Sequence, residues 1–192
     1  MSRQFWNESL SWATASGTAI ANTVTETILF PNITIPANYM QDGRCLRLRA
    51  FGAYGTTSTP TLIFSLRWGG VGGTVLAKQA ANVTTSGVGG GASMTAMWDL
   101  EILIQTRSNG STGTLMSNGT STLYTSTLLT AGTVTNYGQT APIASGSTGG
   151  TTPVAVTVDL TADTALSLTA TWGTSNAANS IVGINYTIES LN

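Results

Sequence analysis

Asp99 and Glu101 are the residues whose types and spacing come closest to a catalytic pair. They stand two apart in Met97 to Arg107, where Trp98, Leu100, Ile102 and Ile104 alternate with Asp99, Glu101, Leu103, Gln105 and Arg107. Such alternation marks a half-buried strand. Two carboxylates on one strand face lie about 7 Å apart by strand rise, within the about 5 to 9.5 Å that glycoside hydrolysis uses. The same outward face carries Gln105 and Arg107, and Arg44, Arg47 and Arg49 form a positive row on another patterned segment. Charge pairing across strands or across subunits accounts for both rows more simply than catalysis does.

The remaining inventory offers little chemistry. There is no histidine, which removes the commonest general base and every His-dependent triad. Cys45 is the single cysteine, so neither a Cys/His zinc site nor an internal disulfide can be built. Asp159 and Asp163 flank a turn and have the oxygens for Ca²⁺, but turn chemistry is the simpler reading. The glycine runs at 69–73 and 87–91 lead into strands, and Lys78 is the only lysine, so no phosphate loop is read. Three arginines beside acidic neighbours make too weak a basic patch for nucleic acid. The expectation is a protein that is not an enzyme, with no cofactor and no metal.

Composition points the same way. The 192 residues suffice for one domain with a real core. Charged residues are 8% of the chain and the net charge is -1, against roughly 25% charged in ordinary globular proteins. Hydrophobic residues reach 41%, and the polar remainder is mostly Thr, Ser, Asn and Gly, which suits sheets and turns. A surface so poor in charge suggests coverage by copies of the chain or by a larger assembly, because obligate interfaces are depleted in charge. No run approaches the roughly 20 apolar residues of a membrane helix, and the start of the sequence lacks the apolar stretch of a signal peptide. Neither a membrane nor a nucleic-acid partner is expected.

The elements that must position these residues read as strands. Beside Met97–Arg107, patterned runs lie at Val24–Phe30, Arg44–Phe51, Thr61–Trp68, Val154–Val158, Leu166–Trp172 and Val182–Ile188. In the last of these Val182, Ile184, Tyr186 and Ile188 close the pattern. Met40–Gly43 reads as a turn. Thr114–Thr127 carries one or two strands around the turn signal Asn118-Gly119, and Tyr137–Thr152 reads as a long loop. Residues 1–21 stand apart, and Phe5, Trp6 and Trp12 suit an extended arm that buries its aromatics on a neighbouring subunit. Residues 22–192 then form an all-β domain of about eight antiparallel strands, a jelly-roll-type sandwich. An immunoglobulin-like sandwich is the alternative, without its Cys-Trp-Cys hallmark.

Several segments resemble jelly-roll structural proteins of tailed bacteriophages, the head decoration or minor capsid proteins and fibre components. They are Asn22-Thr23-Val24-Thr25-Glu26-Thr27, Ile33-Thr34-Ile35-Pro36-Ala37-Asn38 leading to Asp42-Gly43, and Leu66-Arg67-Trp68-Gly69-Gly70. Trp98-Asp99-Leu100 through Arg107 to Gly113, and Leu168-Thr169-Ala170-Thr171-Trp172 through Tyr186 to Glu189, complete the set. The resemblance implies a virion protein made in the bacterial host cytoplasm, a homotrimer that binds the major capsid protein, with residues 1–21 as the anchoring arm. Independently of the resemblance, the scarcity of charge makes Arg47, Arg49, Asp99 and Glu101 the expected register-setting pairs between subunits. The alternative is a carbohydrate- or receptor-binding module of a tail fibre or spike, using exposed aromatics such as Tyr54, Tyr124 or Tyr137.

Overall fold

The structure, a computed structural model, describes residues 7–56, 60–79, 83–84, 94–124, 138–149 and 152–191. Among them the chain is all β. The strands are β1 (Glu8–Trp12), β2 (Ile20–Ala21), β3 (Thr27–Ile28), β4 (Ile33–Ile35), β5 (Cys45–Gly55), β6 (Thr61–Trp68), β7 (Thr74–Gln79), β8 (Val83–Thr84), β9 (Ala96–Ser108), β10 (Gly113–Tyr124), β11 (Gly138–Ser145), β12 (Val156–Val158), β13 (Thr164–Trp172) and β14 (Ser180–Ser190). Antiparallel ladders join them into one sheet ordered β1-β14-β5-β9-β10-β11-β7-β6-β13-β3. The short strands β2, β4, β8 and β12 pair with β14, β13, β6 and β10. Four of the pairings are nested: β5 with β14, β6 with β13, β7 with β11 and β9 with β10.

This sheet curls over on itself. Strands β9 and β6 stand four places apart in the order, roughly 19 Å if flat at about 4.8 Å per strand. Yet the rings of Trp98 on β9 and Phe64 on β6 have centroids 5.0 Å apart. Phe30, just after β3 at one end of the order, meets Tyr186 on β14 near the other end at 4.9 Å, edge to face. Residues 13–30 lace the two ends together. Ala13 and Gly17 donate their N–H groups to the carbonyls of Tyr186 and Gly183 on β14, and Leu29 donates to Leu168 on β13. The result is a two-layer sandwich around one apolar core, to which Leu46, Leu48, Leu62, Phe64, Leu66, Ile102, Leu168 and Trp172 all contribute. Gln79 helps at the bend: its Oε1 accepts the N–H of Phe64, and its Nε2 donates to Ser121 Oγ on β10.

Several expectations need correction. About eight strands were expected, and fourteen form among the described residues. Of the extra ones, β2, β4 and β8 are two or three residues long, β1 lies in the stretch expected as an arm, β7 follows the glycine run at 69–73, and β11 lies in the Gly/Ser/Thr-rich stretch expected as loop. Gly138–Ser145, expected as loop, is β11, with Ala141 and Ile143 buried. Thr74–Gln79 is β7, with Leu76 and Ala77 buried. Asn118-Gly119 is not a turn. It lies inside β10, where Gly119 is flanked by Ile102 and Ile143. A Cβ at Gly119 would run into the Glu101 backbone, so close strand approach rather than turning explains this glycine. Val182, Ile184, Tyr186 and Ile188 do not share a face. A bulge between Gly183 and Asn185 reverses the alternation, leaving Ile184 exposed while Tyr186 and Ile188 are buried. Within the expected arm at residues 1–21, Glu8–Trp12 and Ile20–Ala21 pair with β14 of the same chain. Phe5, Trp6, Tyr137 and the glycine run at 87–91 lie outside the described residues.

One inner contact depends on a missing side chain. The Trp98 indole crosses β5 at Gly52 and donates from Nε1 to the Val182 carbonyl on β14 at 3.1 Å. A Cβ on Gly52 would collide with both the indole and that carbonyl. We expect Gly52→Ala to displace Trp98 and lower stability by about 1–3 kcal/mol, read from urea unfolding with tryptophan fluorescence as the probe. An unchanged unfolding midpoint would remove Gly52 from this role.

Candidate functional site

The inner face carries the core, and on the outer face the carboxylates singled out from the sequence lie where β14, β5, β9 and β10 run side by side. There the register sets cross-strand neighbours side by side. Arg49 is opposite Glu101 on one side and Thr187 on the other, and Phe51 is opposite Asp99 and Asn185. Thr122 and Thr120 on β10 continue these rows past Asp99 and Glu101. Together they line an open trough of about 440 Å³, within the roughly 300–1,000 Å³ of ordinary ligand sites. The β14 bulge contributes directly. It sets Asn185 instead of Ile184 against Phe51, the re-aiming of a side chain that bulges commonly perform. Trp12, one strand further out, pairs with Thr187 and is 59% exposed.

The four charged residues singled out from the sequence find partners inside the chain. Arg49 bonds Glu101 across strands through Nε. Arg47 makes two bonds to Glu189 Oε2 on β14, at 3.0 Å from Nε and 2.6 Å from Nη2. Asp99 Oδ2 accepts the Tyr124 hydroxyl at 3.1 Å. Burial and then the Asp99 carboxylate push the Tyr124 phenol above its ordinary value, so it remains a donor at neutral pH. Glu189 was missed because it lies more than 140 positions from Arg47, and only the β5–β14 register joins them. Phe51 was legible as outward-facing. Asn185 was not, because the bulge that exposes it leaves no signal in the alternation.

Other candidates resolve into structural roles. Asp159 Oδ1 accepts the N–H and hydroxyl of Thr161, and Asp163 Oδ1 caps the N–H of Ala37. The first is a turn contact, and the second joins the turn after β4 to the segment before β13, 126 positions away. Tyr54, considered as an exposed loop aromatic, is a core residue whose hydroxyl donates to the Tyr124 carbonyl at 2.6 Å. Burial pushes its phenol to about 12. Arg44 lies over the Tyr39 ring at 4.3 Å, and Tyr39 in turn donates to Glu8.

The most enclosed ion pair lies away from the trough. Arg67 on β6 grips Glu26 with two bonds of 2.5 Å, and the Thr169 hydroxyl donates to the same carboxylate at 2.5 Å. Arg67 also donates to the Gly73 carbonyl. The pair therefore holds the segment before β3 onto β6 and β13, near the closure of the sandwich.

Comparison with protein-family models, with curated proteins and with solved structures found no match.

Burial pushes the Glu26 carboxyl up, but bonds from Arg67 and Thr169 and the charges of Arg67 and Lys78 outweigh it and leave the group below its ordinary 4.5. A depressed folded value contributes stability that is complete above the unfolded value and lost as pH falls through the folded one. We expect wild-type stability toward urea to fall more than that of Glu26→Gln between about pH 5 and pH 3. Equal losses in the two proteins would show that Glu26 is not the titrating group.

Proposed function

We propose that the chain is a non-catalytic structural subunit of a tailed bacteriophage particle. In this reading it is a capsid decoration or minor head protein that assembles as a homotrimer, binds the major capsid protein and stabilises the shell. The four nested strand pairs support a jelly-roll-type wrap, in which a long ribbon folds back on itself. Their lateral order, with β5 beside β9 and β6 beside β7 in a single curled sheet, departs from the two separate sheets of a regular jelly roll.

The observation that carries this reading is where the few charges go. All eight acidic residues of the chain accept a hydrogen bond or ion pair from within it: Glu8, Glu26, Asp42, Asp99, Glu101, Asp159, Asp163 and Glu189. Beside these few engaged charges the surface carries hydroxyls, amides and exposed apolar groups, among them Trp12, Met97 and Ile184. That is the character of a surface covered by neighbours. Arg47, Arg49, Asp99 and Glu101 are satisfied within the subunit, so contact with neighbours falls to apolar groups such as Trp12.

A second reading, a carbohydrate- or receptor-binding module of a tail fibre or spike, is favoured by the trough. It gathers an exposed aromatic, a carboxylate, an amide and hydroxyls on one open face. Copy number separates the two readings. Densitometry of purified particles should show many copies per particle for a head protein and few for a tail protein. A chain that stays monomeric in solution and is absent from particles would overturn both.

A further inference from the structure

We propose that the trough on the outer face binds an uncharged saccharide, with Phe51 as the stacking platform and Asp99 and Asn185 reading ring hydroxyls. This rests on the receptor-module reading above and names its ligand class and residues.

A pyranose ring has an apolar C–H face and a rim of hydroxyls that donate and accept. Its site therefore needs a flat apolar surface beside acceptors and donors already held in place. Phe51 supplies the surface: it is 42% exposed on the outer face of a central strand, where the core does not use it. Its direct cross-strand partners are Asp99 on one side and Asn185 on the other. Antiparallel partners stand about 4.5–5.5 Å apart, so the ring is flanked by a carboxylate and an amide within one sugar's width. The Tyr124 hydroxyl fixes Asp99 through Oδ2, and among the described residues Oδ1 has no partner. The Asn185 amide likewise makes no side-chain bond among the described residues, leaving both its donor and its acceptor for a ligand. Thr187 and Thr120 add hydroxyls at the rim.

Charge selects the class. Arg49 and Glu101 neutralise each other, and Asp99 leaves the trough with one uncompensated negative charge. Sialylated, phosphorylated or sulfated ligands are disfavoured, whereas a neutral sugar can give Asp99 two hydroxyl donors. The trough is open, so affinity comes from stacking and a few hydrogen bonds, and a short oligosaccharide fits it better than a deeply enclosed monosaccharide.

The test is saturation-transfer NMR and titration of the full chain against neutral oligosaccharides of glucose, galactose, mannose and N-acetylglucosamine. A sialylated oligosaccharide and a lysine-containing peptide serve as comparisons. We expect a neutral saccharide to bind and Phe51→Ala to weaken it at least roughly tenfold, as truncation of an anchoring aromatic does. Asp99→Asn and Asn185→Ala should each weaken it several-fold. Val71→Ser, at the exposed β6–β7 turn, should leave binding unchanged. Asp99→Asn keeps an acceptor for Tyr124, and thermal unfolding of each variant separates lost binding from lost folding. The proposal is overturned if no neutral saccharide binds, if folded Phe51→Ala and Asp99→Asn bind as wild type, or if only the sialylated ligand or the peptide binds. Co-sedimentation with bacterial cells tells this failure from that of the module reading. Sedimentation unchanged by periodate oxidation of the cells and by Phe51→Ala would leave a receptor module with a different site. Absence of both sedimentation and saccharide binding would remove both.

Discussion

A sheet this long can bury one face only by closing on itself, and the Trp98 indole is where closure and sheet geometry meet. Its ring lies against Phe64 in the opposite layer, while its Nε1 reaches over Gly52 to the Val182 carbonyl two strands away. One side chain thus ties β9 to β14 within a layer and to β6 across the core. The contact exists because β5 has no Cβ at that position. A large aromatic buries more apolar area than any other side chain, and its N–H must still find an acceptor once buried. Trp98 meets both demands only if β5 stays thin where the indole crosses.

The outer trough follows from the same register. Phe51 precedes Gly52 and Asp99 follows Trp98, so the alternation that turns Trp98 inward turns Phe51 and Asp99 outward as direct partners. Displacing the inner anchor would therefore disturb the outer face, although the two share no side-chain contact. The β14 bulge completes the arrangement. Before it, Ile181 and Gly183 face inward; after it, Tyr186 and Ile188 do. The extra residue lets Phe30 pack over Gly183, where a Cβ would strike its ring, and still places Asn185 beside Phe51. Closure of the sandwich and presentation of the amide are two results of one inserted residue.

The parts of this fold legible in the sequence were those governed by local alternation. Thr61–Trp68 forms with its expected bounds, and Cys45–Gly55 and Ala96–Ser108 extend the expected segments by only a few residues. In each, the apolar set is buried as the period of two demands. Alternation fails where composition masks it. In β11 the buried face is Ala141, Ile143 and the polar Ser145 among Gly, Gln and Thr, and in β10 a glycine needed for close approach imitates a turn. It fails again where one residue is inserted, because a bulge inverts every later position. The charged residues show a third limit. That Arg49 and Glu101 would pair was open to inference from type and face. That Arg47 would take Glu189, and that Glu26 would be held by Arg67, depended on which strands become neighbours, which no local pattern encodes.

The two demands placed on this surface fall in different places. Assembly needs broad uncharged area and sheet edges that can be covered. β1 is the terminal strand of the order, and among the described residues nothing pairs with its outer edge. Such an edge invites pairing with another chain, and Trp12 adds an exposed apolar ring there. Recognition needs a small, polar, pre-set patch, and that lies at the centre of the same layer on β5 and β9. Trp12, Thr187, Arg49 and Glu101 form one cross-strand row, so at about 4.8 Å per strand the edge ring lies roughly 10 Å from Arg49. A neighbour seated on β1 would therefore wall the trough on one side and leave it open above. Arg47–Glu189 and Arg49–Glu101 are already paired within the chain, so covering them buries no lone charge, whereas Asp99, held only by the Tyr124 hydroxyl, must receive donors from whatever covers the trough.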